Sequence, residues 1–554
     1  MNKPENLPDF LLNIAKERAE RSGEDLLNFL NPQYDSVHNP FLFKDAKKAT
    51  SRILKAIYDR EKIAIYADFD ADGIPGAVIL KELFDKLQYK NYVVYIPHRD
   101  KEGYGFHKSA VENLSKQDVT LIITVDVGIS GKEATELAKS KGIDVIITDH
   151  HESKDAPDAY AVLNPKLKNE TYPFKHLSGA TVAFKLAQAI LAKARENKLE
   201  KAKYIKEGWE KWLLDLVAIS TIADMMPLVG ENRKLVYWGL YVLRLGRRVG
   251  IRRFFEKERI PIKLLEETDV AFSLIPKINV ASRLSDPYLA FELLSSDEKD
   301  KIDKVLIKLK ELNTQRQKQS AKISRQAKSK LLAKCEIPKI FVTGDKTWNP
   351  ALLGLSAGKL AEEFNCAVCL WGQDSSGVYK GSCRSSGNIN IAELLDKNKD
   401  ILLDYGGHEG AGGFSINFDS LLDIEKTFNE AVEFVNTQTD KCETLYDASL
   451  TSADINWTFY RQLRMLAPFG MENEAPVFEF VNPQVIQKRE FGKHNEHLEI
   501  IFKSENSNKH LKAVSFFAKD SFKQKDYIKS IVGQVDKSAF AGKLELRVKI
   551  LDIV

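Results

Sequence analysis

The stretch Asp68–Gly73, DFDADG, lies inside KIAIYADFDADGIPGAVILKELF (Lys62–Phe84), and its reading decides the fold of the first part of the chain. The run before it, KIAIYA, is apolar and of strand length; the run after it, IPGAVILKELF, has the length and spacing of an apolar helix. Three carboxylates at alternate positions therefore sit where a strand hands over to a helix. D-x-D-x-D-G also opens a calcium-binding EF-hand loop, but such a loop follows a helix and closes with a bidentate Glu at its twelfth position. Position twelve is Ile79 and the preceding element is a strand, so the calcium reading fails. A phosphotransferase strand ending in Asp-x-Asp fits less well, because it wants a hydroxyl where Asp72 stands.

Beyond this stretch the runs NYVVYIP, VTLIITVDVG, DVIITDHH and YAVLNP alternate with amphipathic segments up to about Pro165. Continuous Val/Ile-rich runs separated by helices predict a doubly wound parallel sheet covered on both faces. Open α/β sheets place their ligands at the carboxyl ends of the strands. Two further runs end in candidate ligands there: Asp126 closes VTLIITVD, and Asp149, His150 and His151 close DVIITDHH. Carboxylates with one or two imidazoles suit Mn²⁺ or Mg²⁺ better than zinc or copper. So many acids in one place need more than one cation, since alone they would repel and take up protons. Two such ions serve to activate water and to stabilise an in-line displacement at phosphorus, which makes phosphoester hydrolysis the implied reaction.

At 554 residues the chain exceeds what a single core fills. The expected domains are 1–298, a lead-in with the catalytic sheet; 299–335, a connecting helix; 336–440, a smaller α/β domain; and 441–554, a β-rich barrel. The connecting segment Lys299–Lys334 carries 12 Lys/Arg against three Asp/Glu, with Ile302, Val305, Leu306, Leu309 and Leu312 at helical spacing. No run is apolar enough for a membrane span, and the N-terminus lacks the pattern of a secretory signal, so the cytoplasm is the expected compartment. Five cysteines are sparse and odd in number, unlike a disulfide framework. The close pair Cys366 and Cys369 falls on a strand, where residues three apart point to opposite faces, so a structural role is expected rather than a shared zinc. With a net charge of +4, affinity for nucleic acid must come from a local basic surface.

These residues resemble the DHH phosphoesterases, a family named for the Asp-His-His found here at Asp149–His151. The likeness extends to DFDADG, to VDVG and to a fourth acid, Asp224 in TIADMMPL. Within that superfamily the chain is most similar to the bacterial RecJ family of single-strand-specific exonucleases. NPFLFKDAKKA, PHRDKEGYGFH, SGATVAFKL, FSLIPKINVASRL, GGHEGAGGFSI and APFGMENEAPVF carry that similarity in the same order over nearly the whole chain.

The resemblance implies a DHH catalytic domain, a DHHA1 domain marked by GGHEGAGG, and an OB-fold. It implies Asp68, Asp70, Asp72, Asp126, His150 and Asp224 as ligands of two Mn²⁺ or Mg²⁺ ions, with Asp126 as the bridge. His151 then orients the scissile phosphate, and Asp149 is a carboxylate that orients an imidazole. Arg99, Tyr104 and Arg283 match positions that contact nucleic acid. Ser382 and Arg384 in GSCRSSG, with His408 beside them, match a phosphate-binding loop, where an Arg fork suits a terminal phosphate. Phe491, Lys493 and His497 are candidates for guiding the incoming strand on the barrel by stacking and backbone attraction. Two departures touch end recognition: Asn349 stands where a histidine is customary, and SGNIN shortens the loop after Arg384.

The expected function is a metal-dependent 5′–3′ exonuclease on single-stranded DNA that releases 5′-mononucleotides in repair and recombination. It would work as a monomer, with a helicase or a single-strand-binding protein as further partners, and without the additional C-terminal domain some relatives carry. Two alternatives stand beside it. One is a phosphodiesterase of short oligoribonucleotides or cyclic dinucleotides, whose known forms are typically shorter and lack the barrel. The other is an inactive nucleic-acid-binding scaffold, in which motif acids would be expected to be lost.

Overall fold

All five Val/Ile-rich runs of the first part become strands. In the computed structural model of the chain, residues 6–334, 336–386, 389–432, 446–492, 495–505, 507–518, 520–525, 527–538 and 544–554 are described. β1 (Lys62–Ala67), β2 (Tyr92–Tyr95), β3 (Val119–Val125), β4 (Asp144–Thr148) and β5 (Ala161–Leu163) form a parallel sheet in the order β2-β1-β3-β4-β5. The register pairs Ala67 with Val125 and Val125 with Thr148. The residues that follow, Asp68, Asp126 and Asp149, therefore leave the sheet side by side. Their backbone N–H groups continue the ladder to Val125, Thr148 and Leu163 carbonyls. The strand order reverses at β1 and β3, which is where such a sheet opens a crevice for a ligand.

Ala64, Tyr66, Ile122, Val145 and Ile147 bury one face under the helices Lys108–Ser115 and Lys132–Ser140. Against the other face lie the helices Gly73–Lys86 and Gly179–Glu196, which also pack against each other and against the helix Leu214–Ala223. Gly76 permits the first of these contacts, since a Cβ there would stand 2.4 Å from Val125 Cγ1 and 3.0 Å from the Ala180 backbone.

The chain packs as two compact units. The first comprises Met1–Asn279, Pro287–Leu306 and Thr444–Val554, and the second Val280–Asp286 and Ile307–Glu443. A single 34-residue helix, Lys299–Leu332, runs from the first into the second.

In the second unit, β6 (Ile340–Gly344), β7 (Ala367–Gln373), β8 (Tyr379–Arg384), β9 (Leu402–His408) and β10 (Ala411–Ile416) form a sheet in the order β6-β7-β8-β10-β9. Only β6 and β7 are parallel in it. Cys369 and Cys383 stand opposite each other on β7 and β8 and form a disulfide. The expectation of a chain without a disulfide framework does not anticipate this single bridge: the pairing follows from strand register, to which spacing along the chain is blind. Cys366 is a free, buried thiol.

The terminal β-rich segment, in the first unit, contains β11 (Ala448–Ser449), β12 (Val477–Val481), β13 (Gln484–Phe491), β14 (His497–Lys503), β15 (Leu511–Ser515), β16 (Ser530–Ser538) and β17 (Glu545–Ile553). They pair in the order β11-β12-β16-β17-β15-β14-β13. Among the described residues this sheet does not close on itself, so the expected barrel is an open OB-type sheet. Its inner face shares one apolar core with the start of the chain: Leu11, Ala15, Phe29 and Leu30 pack with Phe459, Phe478, Leu498, Ile500 and Val548. Arg233 locks this junction from within. It is buried, stacks on the Phe29 ring at 3.8 Å and donates to the carbonyls of Phe29, Leu466 and Ala467.

A buried ion pair fixes the long helix that carries Gly179. Lys185 Nζ lies 2.6 Å from Glu231 Oε1 with both side chains out of solvent, and Glu231 also accepts from the Tyr172 hydroxyl and the His38 backbone N–H. Removing one partner of such a pair strands the other charge. Lys185→Met is therefore expected to destabilise the first unit by roughly 3–5 kcal/mol, read as a lowered urea midpoint. Adding Glu231→Gln, which keeps both remaining hydrogen bonds, is expected to restore most of the loss.

Candidate active site

The strand ends, the loops beyond them and the end of the helix Leu214–Ala223 bring six carboxylates and two imidazoles to one place. Asp68, Asp70 and Asp126 form one group able to share a cation, Asp126, His150 and His151 a second, and Asp72, His150 and Asp224 a third. His150 Nε2 lies 3.2 Å from Asp126 Oδ1, 3.5 Å from Asp224 Oδ2 and 3.6 Å from Asp72 Oδ2. The shortest of these lacks hydrogen-bond geometry. Both nitrogens of His150, Asp68 Oδ1 and Asp126 Oδ1 are thus buried without a hydrogen-bond partner. Buried polar atoms are rarely left so, and carboxylate and imidazole donors gathered within reach of one another are what cations would satisfy.

Electrostatics agree with that reading. Burial, then the neighbouring acids, push the carboxyls of Asp68, Asp70 and Asp126 above the ordinary range and that of Asp224 up to about 8. Burial lowers His150 to about 4, which leaves its imidazole neutral and able to ligate. His151 differs. Burial opposes its charge, but the 2.7 Å hydrogen bond to Asp149 and the charges of Asp149, Asp224 and Asp72 together outweigh this and lift it to about 9.

Asp149 holds the loop that carries both histidines. Oδ1 accepts from the His150 and His151 backbone N–H groups and from His151 Nδ1, and Oδ2 accepts from Ile129 N. The imidazole it orients is therefore His151, not the ligand-like His150. Tyr104 OH stands 3.3 Å from His151 Nδ1, so it joins the site, while Arg99 sits over the Phe69 ring at 5.2 Å.

The acids are aimed by their own backbone. Asp126 adopts the left-handed region, φ 60°, which L-residues other than Asn and Asp seldom enter. Asp70 Oδ1 accepts from Asp72 N and Gly73 N, folding the DFDADG turn onto itself. Asp72 sits at the N-terminus of the helix Gly179–Glu196, accepting from Gly179 N and Ala180 N at 2.7 Å and from Ser220 Oγ at 2.5 Å. Free N–H groups and the dipole of a helix start favour an anion there. Asn279 Oδ1 receives Ala71 N and fixes the loop from another helix.

In the second unit, Arg384, Ala411 and His408 stand in register across β8, β10 and β9, as do Ser382, Gly413 and Gly406. Residues directly opposite share a face of the sheet, so the three predicted phosphate-binding side chains share one. A Cβ at Gly406 would meet nothing within 4 Å, and one at Gly413 only the Gly381 carbonyl at 3.5 Å, which leaves bare backbone beside them. Arg384 Nη1 donates to Ser382 Oγ and to the Cys383 carbonyl; no carboxylate among the described residues pairs with it. Gly354 makes room for its guanidinium, which would be 2.6 Å from a Cβ there. Arg283 belongs to this unit and donates to the Ala351 carbonyl. Asn349 caps the helix Pro350–Phe364 through Ala351 N, a structural use for the residue in the histidine's place. In the OB-type sheet, Phe491 and His497 form an aromatic cluster with Phe516 and Phe517. Lys493 lies outside the described residues, as do two positions of the shortened loop, 387–388.

Three family models match the chain in order: the N-terminal domain of the DHH family over residues 62–221, the DHHA1 domain over 321–438 and the RecJ OB domain over 446–552. The chain is 33% identical over 91% of its length to the single-stranded-DNA-specific exonuclease RecJ of Bacillus subtilis, and spans 62% of that relative. A crystal structure of exonuclease RecJ bound to manganese is 30% identical, with 71% of this chain and 95% of that chain covered and a TM-score of 0.60. The chain belongs to the DHH family, on its RecJ branch. RecJ from Thermus thermophilus in complex with Mn²⁺ superposes with a TM-score of 0.79 at 26% identity, covering 98% of this chain and 75% of that one.

Sequence reading of this DHH chain missed Ser220, Asn279 and the role of Gly179. SGAT carries the usual sign of a helix start, a Ser N-cap, but nothing along the chain says that Asp72 docks on it.

The raised carboxyls of the DHH site set a pH dependence. A carboxyl raised on folding favours the protonated folded state, so metal-free stability falls as pH climbs from the usual value of about 4 through about 8, the value of Asp224. His151, raised to about 9, works in the same direction, its contribution being lost as pH rises through that value. A bound cation cancels the repulsion among the acids. The gain in melting temperature on adding Mn²⁺ is therefore expected to grow between about pH 5 and pH 8, measured by calorimetry; a gain independent of pH would contradict the reading.

Proposed function

We propose that this chain is a metal-dependent exonuclease that degrades single-stranded DNA from the 5′ end and releases 5′-mononucleotides, serving repair and recombination. The observation that supports this most is the convergence of unpartnered lone pairs on Asp68, Asp126 and His150 at the carboxyl ends of the sheet. An oxygen-rich donor set with neutral imidazole suits Mn²⁺ or Mg²⁺, and manganese is what the RecJ structures above contain. Asp68, Asp70, Asp72, Asp126, His150 and Asp224 would hold two such ions, with Asp126, present in two of the three groups, between them. When bound, the ions supply Lewis acidity toward a phosphodiester and make water a competent nucleophile near neutral pH.

The chain's own groups do the positioning. His151, held by Asp149 and touched by Tyr104, stands at the open side of the site and orients the scissile phosphate. Arg99 and Arg283 contact the strand, and Ser382, Arg384 and His408 take its terminal phosphate. The cationic face of the helix Lys299–Leu332 borders the strand path, and the aromatic cluster around Phe491 and His497 stacks incoming bases. In this reading the protein acts as a cytoplasmic monomer and meets a helicase or a single-strand-binding protein on the DNA.

The test is incubation of purified protein and Mn²⁺ with end-labelled single-stranded DNA, duplex DNA and short RNA. Mononucleotides released from a 5′ label on single-stranded DNA alone are expected. Preference for short RNA would favour the oligoribonucleotide phosphodiesterase, and binding without turnover would favour the inactive scaffold.

A further inference from the structure

The chain has five methionines, and three of them, Met225, Met226 and Met471, line one cavity of about 440 Å³ together with Phe272, Phe469 and Ile275. The cavity lies wholly in the first unit. Its walls are the end of the helix Leu214–Ala223, a π-helical turn at Val270–Leu274 and residues 469–471, the last anchored by Leu228 N donating to the Met471 carbonyl. Large apolar side chains usually bury themselves. Here Phe272 is 75%, Met225 67% and Met471 46% exposed. Glu267, the one charged side chain on the lining, is consumed by Arg464 and by Phe469 N. The cavity offers a visitor rings and thioethers, and no charge.

Its position gives that lining a meaning. Thr221, Ile222, Ala223, Met225 and Met226 line it, so it flanks the chain on both sides of Asp224, although Asp224 itself is not on the lining. Asp224 is on the open side of the acidic cluster: its side chain is 35% exposed, against 4% or less for Asp72, Asp126 and His150. A phosphodiester reaching the acids from that side brings its neighbouring groups against the methionines and Phe272. A phosphate would not enter an apolar cavity beside carboxylates, but a base presents a flat apolar face. The geometry points to this cavity as the seat of the nucleobase next to the scissile phosphate, held by apolar and stacking contact without reading its identity. The inference rests on the exonuclease reading above and specifies a subsite for it. Aromatic rings stack on any base, and unbranched thioethers adapt to different outlines, as an enzyme that removes every nucleotide in turn requires.

The test uses two single-stranded oligonucleotides that differ only in whether the terminal nucleotides carry bases or are abasic. Wild-type protein is expected to process the abasic end with kcat/KM lower by about tenfold. In Phe272→Ala and in Met225→Ala that ratio is expected to collapse toward one, while Met471→Leu, apolar and of similar volume, keeps it. Anisotropy with phosphorothioate versions in Mn²⁺ measures binding without turnover. Base-dependent binding without turnover would sink the exonuclease reading and leave the subsite standing. Turnover and binding both indifferent to the missing bases would overturn the subsite and leave the exonuclease reading intact. Equal losses on both substrates in Phe272→Ala would also overturn it, since the wall would then serve only the fold.

Discussion

Asp126→Asn is expected to lower exonuclease turnover by about a thousandfold or more and, at the same time, to raise the melting temperature of the metal-free protein. The two effects have one origin. Asp126 belongs to two of the three cation-binding groups, and its Oδ1 is buried without a partner. In the proposed two-ion site, losing its charge would weaken the hold on the cations. The same charge repels Asp72, Asp70, Asp68 and Asp224, which, after burial, are what raise its carboxyl so far. Asparagine preserves the shape and tolerates the left-handed backbone at φ 60°, where alanine would add strain of its own. Asp72 is a less clean probe. Its carboxylate also satisfies Gly179 N, Ala180 N and Ser220 Oγ, so truncating it confuses loss of ligand with loss of a buried cap. Steady-state rates in Mn²⁺ beside calorimetry in chelator measure both effects. Unchanged turnover would remove Asp126 from the site; a lowered metal-free melting temperature would contradict the repulsion.

Gly179→Ala is expected to lower kcat/KM by about a hundredfold, the order of loss that follows an ångström of misplacement in a reacting site. It is also expected to destabilise the fold by roughly 1–3 kcal/mol. An exposed glycine in a helix behaves in the opposite way, since alanine there stabilises by about 0.5–1 kcal/mol. The sign reverses because a Cβ on Gly179 would stand 2.4 Å from Asp126 Cβ and 2.5 Å from its Oδ1. Neither backbone can withdraw: Gly179 N is bonded to Asp72, and Asp126 N to the Thr148 carbonyl. The added methyl must therefore move the carboxylate. Mn²⁺ titration calorimetry should show weaker binding in this variant, although no ligand has been changed. Full activity with unchanged Mn²⁺ affinity would mean that the helix start yields, and that the spacing between the two elements is not what aims Asp126.

How far the site was legible follows from where its parts lie along the chain. Asp68, Asp126 and Asp149 could be found because each ends an apolar run, and parallel strands deliver their ends to one edge. The calcium alternative could be dismissed from Ile79 alone. Asp224, at the end of the apolar helix Leu214–Ala223, has no periodic signal of its own and entered only through family resemblance. Gly179, Ser220 and Asn279 support the acids through space, and nothing in their neighbours announces it. Strand register hid the Cys369–Cys383 bridge, and closure of a sheet, which depends on how its two edges meet, hid the open form of the OB-type domain. The assignment of His151 rather than His150 as the partner of Asp149 likewise needed side-chain geometry.

The apolar core shared by the first 30 residues and the OB-type sheet has a consequence for biogenesis. Arg18 Nη1 reaches Asn473 Oδ1 across 455 positions of sequence, and Leu11 and Phe29 are buried in the core they share with the strands of that sheet. During synthesis these helices are made well before the strands of the OB-type sheet, so a long loop must close before the contacts reward it. The nascent catalytic segment therefore matures with an uncovered apolar flank, a natural client for chaperones. A chain interrupted before residue 446 would carry the acids of the site yet lack the strands that cover Leu11 and Phe29.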